Sequence, residues 1–380
     1  MTPIPDSFLM RLATRETTFF DWSLDVGGVA HTLITGATGA GKSFLLGAMI
    51  AASQRQSPLT FLFDFGAGYR TLTEALGGSY LELGVERPAV RINPLGLEPT
   101  RDGLERMVRA VRLLAESGGR RFDERDEHDL REAVETLATV PERSKRRLSA
   151  LAVMLGARLA ADLEPFHSGG PYSALFDNEE DTLQLARFQT FNLESLLRHP
   201  RAAPAALYWI LSGVTESVSD PALAETPKYA WWDEGWKFLA EPTLGAYIEE
   251  AFRTWRKLHG AMILATQSVD ELAHSAALPI LVESCVNHVF LANPRLERSR
   301  YKEIFHLNDV EVGLIEQLIP RRQFLLRRPG LSKVLALEVD PESYWTLANS
   351  PRENALRRRA IAEWGFEQGL AKLAQGEKTE

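Results

Sequence analysis

One octapeptide constrains this chain more than any other feature: Gly36-Ala37-Thr38-Gly39-Ala40-Gly41-Lys42-Ser43, with the apolar run Val29 to Ile34 before it and Phe44 to Ile50 after it. The order is strand, glycine-rich turn, helix, and the turn fits GxxxxGK[ST] throughout. Glycines there let backbone N–H groups turn inward around phosphate oxygens, and the helix start adds the positive end of its dipole. Lys42 is then set to reach the β and γ phosphates and Ser43 to ligate Mg²⁺. The nucleotide-binding set read from this segment is Gly36, Ala37, Thr38, Gly39, Ala40, Gly41, Lys42, Ser43 and Phe44, and the cofactors it calls for are ATP and Mg²⁺.

A phosphate loop of this kind needs acidic groups at the end of a neighbouring strand. Lys228 to Trp232 is an apolar strand ending in Asp233-Glu234. Asp233 is the expected metal ligand, and Glu234 the base that orients and deprotonates the attacking water, the role that separates hydrolysing NTPases from switches. Asp64, after the apolar run Leu59 to Phe63, is a rival for the metal but lacks an adjacent second acid. A further buried run, Gly260 to Thr266, ends at Gln267, which is expected at the same sheet edge, within reach of the γ-phosphate or the attacking water. A ring-forming NTPase also needs an arginine delivered by a neighbouring subunit. Arg253, Arg256, Arg322 and Arg327 are the candidates, with Arg256 and Arg322 carried forward as catalytic.

The remaining pattern predicts an α/β fold with a mostly parallel central sheet flanked by helices. Short continuous apolar runs at Leu59–Asp64, Phe188–Leu193, Lys228–Asp233, Gly260–Thr266 and Val286–Ala292 read as strands buried on both faces. Helical stretches near Ala202–Val218, Thr243–Leu258 and Ala277–Glu283 separate the later ones. Glycine-rich sequence after Asp64 interrupts the sheet. From Arg101 to Glu164 apolar residues recur at three and four, giving three amphipathic helices (the last spanning Leu148 to Leu163), with Gly118–Asp129 as an exposed loop. Arg322–Arg327 and Lys333–Val339, joined through Pro329-Gly330, read as an antiparallel hairpin closing the sheet edge. The division expected is a nucleotide-binding core at 1–100 and 186–345, a helical insertion at 101–185 and a helical tail at 346–380.

With 380 residues, a net charge of −8, 45% hydrophobic residues and one cysteine, the chain is not disordered, collagenous or held by internal disulfides. Cys285 reads as an inert core thiol. No stretch approaches the roughly 18 apolar residues of a membrane span, so a soluble chain is expected. The basic clusters Lys145-Arg146-Arg147 and Arg357-Arg358-Arg359 lack interleaved aromatics and read as solvated helix faces. Trp231, Trp232 and Trp236 read as packing around a strand, and the histidines show no metal-ligand spacing.

Taken in order, GATGAGKS, FDFGAGYRTLTEALGGSYLELG, INPL, YAWWDEGWKFL, RTWRKLHGAMILATQSVDEL and FLANPR resemble the type IV secretion ATPases of the TrbE/CagE kind, conjugation-type traffic ATPases related to the FtsK/HerA translocases. The resemblance covers nearly the whole chain, and it is to the C-terminal motor portion of proteins about twice as long. It implies a RecA-like core with a helical subdomain, a homo-hexamer, and a cytoplasmic location, peripheral to the bacterial inner membrane. It also implies other secretion components as partners, a DNA or protein substrate, and ATP hydrolysis powering pilus assembly or substrate transfer. Position by position, Lys42 and Ser43 match the Walker A pair, Asp233 and Glu234 match Walker B, and Gln267 matches the glutamine after the following strand. No single arginine matches the finger. Two other readings stand beside the motor: a HerA-like pump or coupling protein acting directly on DNA, and a nucleotide-dependent assembly module without turnover, against which Glu234 argues.

Overall fold

The computed structural model describes residues 8–234, 242–267, 269, 273 and 278–377. Trp236, His274 and the expected helix start at Ala277 lie outside the described residues. The strands are β1 (Met10–Thr14), β2 (Phe19–Trp22), β3 (Thr32–Thr35), β4 (Leu59–Asp64), β5 (Ser79–Glu82), β6 (Phe188–Asn192), β7 (Lys228–Asp233), β8 (Gly260–Thr266), β9 (Asn287–Leu291), β10 (Gln323–Arg328) and β11 (Leu331–Ala336). Among the described residues they form one eleven-stranded sheet in the order β2-β1-β11-β10-β9-β3-β8-β7-β4-β6-β5.

The centre, β9-β3-β8-β7-β4, is parallel throughout. Every residue of β3, β4, β8 and β9 is buried, as continuous apolar runs covered on both faces require. Behind the glycine turn, the helix Lys42–Ser53 buries Leu45, Leu46, Met49 and Ile50 in one core with Ile34, Leu62, Ile263 and Val289. Trp231 and Trp232 are buried within β7, Trp232 stacked on Phe63 at 3.8 Å, which is the packing role expected of them. Cys285 is buried, and desolvation pushes its thiol pKa up, so it is inert.

Both sheet margins differ from the sequence reading. The hairpin β10–β11 does not close the edge, because β1 pairs antiparallel with β11 and β2 pairs with β1. At the other margin, β5 extends the sheet through the glycine-rich stretch read as a pause. These strands escape a reading based on continuous apolar runs because none is buried along its length: Arg11 of β1 and Phe19 and Asp21 of β2 are exposed, and β5 has no buried residue.

Packing divides the chain into two compact units, one within Met1–Tyr80, Arg187–Thr190 and Val218–Glu380, the other comprising Leu81–Ala186 and Phe191–Ser217. In the second, the helix Arg101–Glu116 starts at Thr100, whose hydroxyl accepts from Gly103 N–H. The next helix, Glu124–Ala138, begins inside the segment read as a loop. Asp123 and Asp126 cap it reciprocally, and the buried Asp126 carboxylate also accepts from Arg120 and Arg158. The expected third helix is two, Leu148–Met154 and Ala157–Leu163, parted where Leu155 turns extended before Gly156.

Both basic clusters contain an arginine that is not solvated. Arg146 is buried and donates to the carbonyls of Val140 and Leu97. Arg357, 4% exposed, donates to Trp345 O at 2.8 Å, Ala348 O at 2.7 Å and Asn354 Oδ1 at 2.6 Å, locking the corner between the helices Pro341–Leu347 and Pro351–Trp364. Burial pulls its pKa down to about 10. Arg357→Met leaves those acceptors unpaired, so chemical denaturation should find it about 2–4 kcal/mol less stable. A loss below about 0.5 kcal/mol would return Arg357 to the surface category.

Candidate nucleotide site

The topology dictates where the site lies. Strand β8 separates β3 from β7, with Thr35 opposite Thr266 and Asp233 opposite Ala265, so the glycine turn, the acidic pair and Gln267 emerge side by side at the carboxyl ends of three parallel strands. Two glycines of the turn are dictated locally. A Cβ on Gly36 would lie 2.7 Å from Leu291 Cβ, and Gly41 has φ of 103°.

Lys42 is buried, its Nζ donating to Gly36 O at 2.9 Å and to Ala37 O at 3.4 Å. Desolvation lowers its pKa, while the nearby Glu234 and Asp233 charges pull it back up. Ser43 Oγ donates to Asp233 Oδ2 at 3.0 Å, and Tyr69 Oη donates to the same oxygen at 2.9 Å. The other oxygen, Asp233 Oδ1, is buried with no hydrogen-bond partner. Burial, reinforced by the charges of Glu234 and Asp64 and opposed by the bonds from Tyr69 and Ser43, pushes the Asp233 carboxyl up to about 6. A carboxylate with one buried oxygen lacking a donor, beside a serine hydroxyl, is chemically suited to a hard divalent cation.

Glu234 adopts a left-handed backbone at φ 55°, a conformation that costs a non-glycine residue energy and recurs at functional sites. Its Oε2 accepts from Gln267 N–H at 3.3 Å, and the Gln267 side chain is hydrogen-bonded by Thr38 Oγ1. Glu234, Gln267 and the phosphate loop are thus one connected set. Phe44 faces the ring of Tyr344, 5.7 Å away.

Asp64, the rival metal ligand, is occupied otherwise. Its oxygens accept from the N–H groups of Gly66 and Tyr69 at 3.0 Å each and from Tyr80 Oη at 3.3 Å, closing the turn that aims Tyr69 at Asp233. Of the arginines, Arg322 borders the cavity beside Lys42 and pairs with Glu338 at 3.4 Å. Arg256 lies at the opposite, amino-terminal end of β7 and β8, near Tyr229, His259 and Gly260. Arg253 pairs with Glu249 at 3.9 Å, and Arg327 with Glu311 at 3.4 Å. The chain brings only Arg322 of these four to its own phosphate loop.

The cavity there is about 610 Å³, within the range of small-molecule sites, and sequence reasoning missed much of its wall. Tyr344, Asn349, Ser350 and Glu353 come from the C-terminal segment, and Arg321 from the approach to β10. The FDFGAGYR segment was a signal for Tyr69, since two glycines between a buried strand and an aromatic mark a turn that aims a side chain; the others have none.

Compared with known proteins, the chain matches the sequence profile of the TraG P-loop domain over residues 20–116 and 157–377. It is 28% identical over 367 residues to the conjugal transfer protein TrbE of Rhizobium radiobacter, covering 93% of this chain and 43% of that protein. The solved structure of VirB4 of Thermoanaerobacter pseudethanolicus superposes with a TM-score of 0.70 at 16% identity, over 92% of this chain and 99% of that one. Plasmid coupling protein TrwB in complex with ADP and Mg²⁺ superposes with a TM-score of 0.54 at 15% identity, over 81% of this chain and 85% of that one. The chain spans about half the length of the curated relatives it matches.

Proposed function

The chain belongs to the TraG P-loop domain family, and from that premise we propose that it is an ATP-hydrolysing motor domain powering substrate translocation or pilus assembly in a bacterial type IV secretion or conjugation system. The observation that carries the reading is the hydrogen-bonded connection of Ser43 to Asp233 and of Thr38 through Gln267 to Glu234, across the ends of three adjacent parallel strands.

The chemistry follows from those residues. On ATP binding, Lys42 exchanges its bonds to the Gly36 and Ala37 carbonyls for the β and γ phosphate oxygens. Ser43 and Asp233 would hold Mg²⁺, which supplies neutralisation of charge on those oxygens when bound. Glu234 accepts a proton from the water whose oxygen attacks the γ phosphorus, and the bond to the β-γ bridging oxygen breaks to release ADP. Gln267, tied to both Thr38 and Glu234, orients that water and reports the state of the phosphate. Arg256, at the far end of the strands, suits a finger offered to a neighbouring subunit better than to its own nucleotide; Arg322 suits either.

A homo-hexamer, association with secretion components at the inner membrane, and action on a DNA or protein substrate are parts of the same proposal, which rests for them on the family. No helix among the described residues is long and apolar enough to cross a membrane. The test is ATP turnover against protein concentration, with and without single- and double-stranded DNA at low salt. Specific activity rising with concentration is the expected result, since an arginine supplied in trans requires assembly. DNA stimulation that fades as salt is raised would replace this reading with a DNA pump.

A further inference from the structure

Arg321 touches the phosphate loop, yet neither the glycine motif nor the acidic pair accounts for it. Its main-chain N–H donates to Ala40 O at 2.9 Å and its Nε donates to Gly39 O at 3.2 Å. Its Cα lies 3.0 Å from where a Cβ on Gly41 would stand, so the two backbones are as close as a glycine allows. Arg321 has φ of 62°, a left-handed conformation that a bulky residue adopts only under constraint from its surroundings. The side chain is exposed and borders the same cavity as Lys42, Ser43 and Gln267. Among the described residues no carboxylate lies within 4 Å of its guanidinium, whereas the adjacent Arg322 is paired with Glu338. A strained backbone therefore holds an ion-unpaired planar cation against the loop that would cradle phosphate. Guanidinium is the side-chain group best matched to phosphate oxygens.

We propose that Arg321 is a phosphate-binding residue acting in cis: when nucleotide enters, its guanidinium leaves the Gly39 carbonyl and takes the polyphosphate, while its main-chain bond to Ala40 keeps the loop seated. This rests on the reading of the cavity as a nucleotide site. The far wall of that cavity carries Glu353, hydrogen-bonded to Tyr344 Oη, and Arg321 acts electrostatically on both, so its departure is felt by the C-terminal helical segment.

The experiment measures binding of Mg²⁺-ATP and Mg²⁺-ADP to the whole chain carrying Arg321→Gly, Arg321→Lys or Arg321→Gln, alongside wild type, Lys42→Ala and the surface change Arg358→Ala. Glycine relaxes the left-handed backbone, so the melting temperature of Arg321→Gly without nucleotide should equal or exceed that of wild type, while its affinity falls about tenfold, the size of one charge-assisted hydrogen bond. Lysine keeps the charge and should recover much of that affinity. Glutamine can still donate to the Gly39 carbonyl but lacks the charge, and should not recover it. The assignment is overturned if glutamine restores binding as well as lysine does, or if Arg321→Gly binds like wild type and Arg358→Ala while Lys42→Ala fails to bind. Absence of binding by wild type itself would overturn both this assignment and the reading of the site.

Discussion

Glu234→Gln is expected to lower ATP turnover by about 10²–10⁴-fold, the contribution of a positioned general base, while leaving Mg²⁺-ATP affinity unchanged. The separation of the two quantities follows from the local geometry. Glu234 accepts from Gln267 N–H, and a glutamine carbonyl oxygen can accept the same bond. The left-handed turn at φ 55° is inherited by the isosteric side chain, and the hydrogen bonds that position Lys42 and Ser43, the groups that would contact the nucleotide, do not involve Glu234. What the substitution removes is the capacity to take a proton from water. A nucleotide-dependent assembly module predicts no such loss, because turnover is no part of its work; turnover of Glu234→Gln within about tenfold of wild type would favour that alternative and remove Glu234 from the mechanism.

The second large effect concerns stability against pH. His31 and His288 are buried near the amino-terminal ends of β3 and β9. Desolvation, with a further push from Arg256 on His31 and Arg327 on His288, lowers each to about 4. His31 Nδ1 accepts from Met262 N–H at 3.0 Å, which fixes the neutral tautomer. Unfolded histidine titrates near 6.5. Between about pH 6.5 and 4 the unfolded chain therefore binds more protons than the folded one, and stability falls as the pH is lowered through that window. Each histidine should contribute a loss of about 2 kcal/mol between pH 7 and pH 5. Denaturant titrations at the two pH values should find that wild type loses about 4 kcal/mol more than the double variant His31→Asn, His288→Gln, in which neither position titrates. An equal pH dependence in the two proteins would mean that both imidazoles carry protons in the folded state at pH 5.

The central sheet was legible because its strands announce themselves: β3, β4, β7, β8 and β9 each carry a short run of consecutive apolar residues and are buried almost throughout, as a parallel sheet covered on both faces requires. The glycine turn was legible because its chemistry is local, eight consecutive residues making one cradle. Asp233, Glu234 and Gln267 could be named because each follows one of those strands, and register brings equivalent strand ends together. Asp64 shows the limit of that logic. It follows a buried strand just as Asp233 does, and only the tertiary turn of Gly66 and Tyr69 onto its oxygens decides between the two. Arg321, Tyr344 and Glu353 come from segments with no periodic or motif signal toward the phosphate loop, since a left-handed arginine and a chain returning from beyond the last hairpin are properties of the folded backbone. Arg146 and Arg357 failed for a related reason. In each cluster the fold sets main-chain carbonyls around one guanidinium, those of Val140 and Leu97 around Arg146, which follows a short turn, and those at the end of the helix Pro341–Leu347 around Arg357.

Phosphate release from Mg²⁺-ATP, measured for wild type and Lys42→Ala at matched protein concentrations over a wide range, tests the central claim most directly. The account predicts Mg²⁺-dependent turnover by wild type that rises with concentration and is lost in Lys42→Ala, because the amine that bridges the β and γ phosphates is gone. Turnover by Lys42→Ala equal to that of wild type would mean that hydrolysis takes place somewhere other than the cavity over β3, β8 and β7.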